Sequence, residues 1–127
     1  MNPYILGYTV SVLLGVPISW ACWHVLHSQV EQRYKAKKQQ PAERVLWLPL
    51  TMGIVERAVY TTLVGFNISG AASFVGAWVT IKAVGGWATW SKDGSTYTRA
   101  LFMAGLMSSG VSALMGIAGG IIIALAR

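Results

Sequence analysis

Residues 53 to 82 read "GIVERAVYTTLVGFNISGAASFVGAWVTIK", and the fold turns on whether this stretch is one helix or two. Asn67, Ser69 and Gly70 interrupt an otherwise apolar run, and each tolerates unusual backbone angles or hydrogen-bonds its own backbone. This chemistry predicts a hairpin, with helices over about 46–66 and 71–90. In the competing reading, 58–81 is a single span and 45–55 lies on a membrane surface.

The hairpin gives the charges a place. Glu56 and Lys82 each lie thirteen residues from Ser69, so antiparallel helices bring them to one depth, and Arg57 is expected at that same level. Trp47 and Trp90 sit about 12–14 Å away along the helices, at 1.5 Å rise per residue. Tryptophan prefers the headgroup boundary, so these two are the expected interface anchors. The charges then fall near mid-bilayer, where a lone ionised side chain costs about 2.5–3.5 kcal/mol on insertion scales. A carboxylate against a cation on the facing helix recovers much of that cost. Residues four apart share a helix face, which places Tyr60 with Glu56, Thr61 with Arg57, and Trp78 with Lys82. Trp78 is expected to turn its ring face to the ammonium. Glu56, Arg57, Lys82, Tyr60 and Trp78 are therefore the candidate intramembrane site. Two cations against one anion call for a further partner: an anionic ligand, a lipid headgroup, another subunit, or loss of the Lys82 proton. The competing reading is that the pair only fixes which helices meet and in what register.

Composition agrees with a bilayer environment. Of the 127 residues, 54% are hydrophobic and 11% charged, whereas soluble domains carry about a quarter charged residues. Spans need about 20 apolar residues, and segments at about 4–26, 46–66, 71–90 and 100–126 qualify under the hairpin reading. The expected class is all-α, a single-domain integral membrane four-helix bundle. The first segment has no basic residue before it and no small-x-small cleavage site, so it reads as a permanent span, not a signal peptide.

The loop at 27–45 carries Arg33, Lys35, Lys37, Lys38 and Arg44 against Glu31 and Glu43. Basic loops of membrane proteins face the cytoplasm, which puts both termini on the other side of a bacterial inner membrane. Anionic lipid headgroups are the expected counter-charge. Nucleic acid is not, because no aromatic residues interleave with the cations. This loop is expected to be partly helical up to Pro41. The polar run "SKDGSTYTR" at Ser91–Arg99 closes the third loop, with Asp93 and Gly94 as its turn signal.

Small residues recur every fourth position. Ser112, Gly116 and Gly120 form one stripe in the last span, Gly105 and Ser109 another, and Gly7, Ser11 and Gly15 a third in the first span. Such stripes let helix backbones approach closely, and here they are expected to meet a second copy of the chain or a larger membrane protein. Pro17 removes a backbone hydrogen bond and is expected to kink the first helix. His24 and His27 share a face, but a metal site needs ligands the chain does not supply, so no metal or other cofactor is expected. Cys22 is the only cysteine. No nucleophile elbow, zinc-protease motif or phosphate loop occurs, and no catalytic residue is assigned.

Small multidrug transporters have four spans and a membrane glutamate, but in their first span, which has no acid here. "VERA" at Val55–Ala58 is similar to the Glu-Arg pair of the membrane-associated eicosanoid and glutathione metabolism family. Across its central third the chain resembles a group of small bacterial membrane proteins that read Glu-Arg, aromatic residues, an Asp/Asn-x-Ser-Gly turn, then Trp and Lys. Glu56, Arg57, Tyr60, Asn67, Ser69, Gly70, Trp78 and Lys82 carry that likeness, which implies the architecture and no activity. The expected function is passage or coupling of a small ion or solute between helices two and three, with Glu56 as proton acceptor or gate and the cations holding an anion. A non-catalytic accessory subunit is the second expectation, and an enzyme acting on an anionic thiol or lipid the third.

Overall fold

The computed structural model describes residues 2–34, 47–93 and 96–127, with the side chains of 47–49 and 89–93 outside that description. Among the described residues it is all-helical. Helix α1 runs Pro3–Tyr34, α2 Trp47–Gly65, α3 Ala71–Asp93 and α4 Thr96–Leu125. Two of these, α1 and α4, are long and apolar enough to cross a bilayer. The other two carry the charges Glu56, Arg57 and Lys82 within 19 and 23 residues.

Local chemistry sets the helix ends. Asn2 caps α1 by accepting from the Tyr4 amide at 3.0 Å, and Pro3 takes the first helical position, where its missing N–H is not needed. At the end of α2, Asn67 adopts φ 51°. The Ile68 amide then reaches the Leu63 carbonyl at 2.9 Å and the Asn67 amide reaches Val64 at 3.1 Å. This is the Schellman arrangement, and it satisfies carbonyls that the helix end would leave unpaired. Gly70, at φ 86°, redirects the chain into α3. The stretch at 58–81 is therefore two helices and a turn, and the single-helix alternative is set aside. Replacing Asn67 by Ala removes the short polar side chain that lets asparagine tolerate the left-handed region and is expected to lower stability by about 1 kcal/mol, whereas Asn67→Gly is expected to be neutral. Thermal unfolding in detergent separates the two.

Helix α1 continues eight residues beyond Leu26, to Tyr34, in keeping with a loop that is helical in part. Two features differ from expectation. The Ser91–Arg99 run is largely helical, with α3 ending at Asp93 and α4 resuming at Thr96. The irregularity expected at Pro17 appears upstream, as a π-helical stretch over Thr9–Leu14. Proline cannot serve the carbonyl four residues back, and a wider helical register is one way a helix absorbs that loss. The remainder of the basic loop, Lys35, Lys37, Lys38, Pro41, Glu43 and Arg44 included, lies outside the described residues.

Helix α4 is the centre of the bundle. It packs against α2 and α1 along their lengths, and α3 touches α2 and α4 but not α1 among the described residues. The inside of the bundle mixes polar groups with Tyr60, Ala104, Ala113 and Ile123. Ser11, Glu56, Arg57, Thr61 and Ser112 are buried, while Leu13, Trp20, Ile81, Val84, Met107 and Leu114 are 60–66% exposed.

The small-residue stripes explain how so little apolar bulk packs so closely. A β-carbon on Gly116 would meet the Tyr60 β-carbon at 2.9 Å, and one on Gly120 would meet Val64 at 2.6 Å. Ser112, Gly116 and Gly120 therefore receive α2. A β-carbon on Gly119 would strike the Gly7 carbonyl and lie 2.7 Å from the Ser11 β-carbon, and Gly15 seats Arg57 and Met115. Gly7, Ser11 and Gly15 thus receive α4. Gly105 faces the Trp23 ring, where a β-carbon would lie 3.7 Å away. These stripes, expected to meet another chain, are spent on packing within one chain, because α4 must accept neighbours on two sides. They give no argument for an oligomer.

Candidate functional site

Glu56 on α2 and Lys82 on α3 form an ion pair. The ammonium lies 2.5 Å from Glu56 Oε1 and 2.6 Å from Oε2. Ser109 of α4 accepts from the same ammonium at 2.8 Å. Trp78, one turn before Lys82, donates its indole N–H to Glu56 Oε1 at 3.0 Å. The expected stacking of the Trp78 ring on the ammonium is corrected by this bond: the carboxylate competes for the indole edge, and a charged acceptor outweighs a ring face. The Glu56 side chain is 6% exposed and that of Lys82 29%, so the pair sits at the rim of the bundle with its carboxylate inside. Tyr60, one turn along from Glu56, is 2% exposed and packs against Gly116.

Arg57 does not join this cluster. Adjacent helix positions point about 100° apart, so its guanidinium enters the α1–α4 side of α2. There Nη1 donates to the Gly15 carbonyl at 3.1 Å, to Ser19 Oγ at 3.1 Å and to Ser112 Oγ at 2.9 Å. The residue is 2% exposed, and its Nε is buried without a hydrogen-bond partner. Among the described residues no carboxylate pairs with it directly. The three charges share a level but not a site, which corrects the single cluster expected from depth alone.

Hydroxyls extend this second centre. Thr61 donates to Ser11 Oγ at 2.7 Å and is within 3.0 Å of the Gly116 carbonyl, while Ser11 lies 3.4 Å from the Arg57 carbonyl. Ser108 donates to the Ser19 carbonyl at 3.0 Å, and the Tyr8 and Thr62 hydroxyls are 2.6 Å apart. Sequence reading treated Ser11, Ser109 and Ser112 as spacers and passed over Ser19. The available signal was hydroxyl side chains inside uncharged helices at the depth of a buried arginine, where a donor without acceptors is costly.

The histidines diverge. His24 stacks on Trp20 at 5.3 Å between centroids, and His27 meets Trp23 and lies 3.6 Å from Glu31. Among the described residues no group of three metal-ligating side chains occurs. Trp47 and Trp90 belong to α2 and α3 in their backbones, but their side chains lie outside the description.

Beside Glu56 is a small apolar cavity of about 130 Å³, walled by Met52, Val55, Val59, Phe74 and Trp78. Compared with family models, curated proteins and solved structures, the chain matches none.

Proposed function

We propose that the chain is a four-span protein of a bacterial inner membrane, with both termini outside the cytoplasm, that couples movement of a small ion or solute to the Glu56–Lys82 pair. The membrane reading is supported by two apolar helices of spanning length and by a bundle with polar groups inside and large apolar side chains outside. That inversion suits lipid and is costly in water. Headgroups of anionic lipid are the proposed partners of the basic loop.

The observation that carries the coupling is a carboxylate held by an ammonium on a different helix, α3, which among the described residues touches α2 and α4 but not α1. Protonating Glu56 removes the charge that holds Lys82, leaving a neutral carbonyl oxygen and Ser109 Oγ as its acceptors. The Glu56 carboxylate meets Lys82 and Trp78 on α3, with Tyr60 one turn along its own helix, Ser109 of α4 on the far side of the ammonium and the Arg57 guanidinium turned to another face. A proton on Glu56 thus leaves Lys82 without its counter-charge, which favours displacement of α3 or entry of an anion.

Proton flux into liposomes, driven by a potassium diffusion potential and read with a trapped pH dye, tests this. Glu56→Gln and Lys82→Met are each expected to lower flux at least about tenfold. Wild-type flux in both variants would remove these residues from the role. An accessory role is favoured by a separate observation, the exposed outer face of α3 with Ile81, Val84 and Trp87 at 57–62%. Native mass spectrometry from the source membrane separates the two: a complex with a larger protein supports the accessory reading, and a discrete homo-oligomer the coupling one.

A further inference from the structure

We propose that Lys82, Trp78 and Ser109 form a carboxylate-binding site, occupied in this structure by Glu56, whose exchanging ligand is an amphipathic monocarboxylate. The proposal rests on the coupling reading above and names its substrate class.

Donors and acceptor come from different elements. The carboxylate belongs to α2, whereas the ammonium and the indole N–H belong to α3, and Ser109 of α4 steadies the ammonium. A carboxylate from another molecule would find the same converging donors once that of Glu56 is protonated and turned aside. Charge selects the sign of the ligand. With Glu56 neutral, Arg57 and Lys82 remain at this level, so an anion is stabilised and a cation repelled.

The cavity selects its body. Its walls are apolar, and Glu56 borders it. Phe74 and Trp78, which both line it, stack with an interplanar angle of 8° and centroids 6.3 Å apart. Met52, Val55 and Phe74 are 44%, 52% and 45% exposed, so the cavity opens outward, toward the side where lipid chains would lie. Trp78 belongs to both halves: its ring lines the cavity while its N–H reaches the carboxylate position. A headgroup at Lys82 and a chain along Trp78 is the ligand those two features describe. A short hydrophilic anion would leave the apolar half empty.

The test uses the full chain in nanodiscs of zwitterionic lipid, with ¹⁵N-labelled tryptophan and the Trp78 indole resonance assigned through Trp78→Phe. Decanoate is titrated against decanol, acetate and decyltrimethylammonium at matched bilayer mole fraction. Decanoate is expected to shift the Trp78 resonance saturably, and the other three to bind at least about tenfold more weakly. Glu56→Gln replaces the internal carboxylate by a neutral, weaker acceptor and is expected to tighten decanoate about tenfold. Lys82→Met is expected to weaken it about tenfold, and Lys82→Arg, which keeps the charge should the methionine variant not fold, to retain it. Decanol equal to decanoate, or no tightening in Glu56→Gln, would overturn the proposal. Binding of decanoate without proton flux would remove the coupling reading and leave the site; flux without decanoate binding would do the reverse.

Discussion

Glu56→Ala is expected to lower the stability of the folded chain by about 3–5 kcal/mol, the cost of leaving a partner of a buried ion pair uncompensated. Alanine takes away both acceptors of the Lys82 ammonium on α2 and the acceptor of the Trp78 indole. It also removes the one negative charge at the level of Arg57. Glutamine keeps a carbonyl for both donors, so Glu56→Gln is expected to cost less than half as much. The paired change Glu56→Ala with Lys82→Met removes both charges, and an apolar pair in their place is often near neutral. Recovery of at least half the loss, read from unfolding midpoints in a detergent titration, would measure the coupling between the two residues. Losses in the double variant equal to the sum of the singles would mean that the contact contributes nothing to folding.

The second large effect belongs to packing. Gly119→Leu places a side chain where the α1 backbone passes, against the Gly7 carbonyl and 2.7 Å from the Ser11 β-carbon. Neither neighbour is the far end of a flexible side chain, so α1 and α4 must part. The expected cost is about 3 kcal/mol or more, at the upper end of overpacking penalties. Separation there also disturbs Ser11, and with it the Thr61 hydroxyl and the carbonyl side of Arg57. Gly110→Leu is the control, because a β-carbon at Gly110 meets open space. A similar loss in both variants would show that α4 tolerates no added bulk anywhere and would remove the special role of the α1 crossing.

The residues that wrote the fold most legibly are those of the α2–α3 turn. Asn67 and Gly70 are positive-φ positions that sequence chemistry marks directly, and once the turn is placed, the opposition of Glu56 and Lys82 follows from counting along two helices. What counting does not give is azimuth. Arg57 shares the depth of Glu56 but points into another face, and only the positions of α1 and α4 show which face that is. The destination of the small-residue stripes was hidden for a related reason. Glycine at every fourth position says that a backbone comes close, but not whether it belongs to the same chain, and here Gly116, Gly119 and Gly120 meet α2 and α1. Ser19 was missed because a hydroxyl in an apolar helix carries no pattern of its own; it gains meaning only beside a buried guanidinium.

If the α2–α3 hairpin crosses the bilayer with Glu56 and Lys82 in its middle, its two ends lie on opposite faces of the membrane, which cysteine accessibility reads. On a Cys22→Ala background, which removes the sole native thiol, Asn67→Cys marks the turn and Thr96→Cys the opposite end. Both positions are exposed. A membrane-impermeant maleimide applied to right-side-out and inverted vesicles is predicted to label the two cysteines from opposite faces. Labelling of both from the same face would rule out a spanning hairpin, because it would then lie along the membrane surface and its charges would not sit at mid-depth.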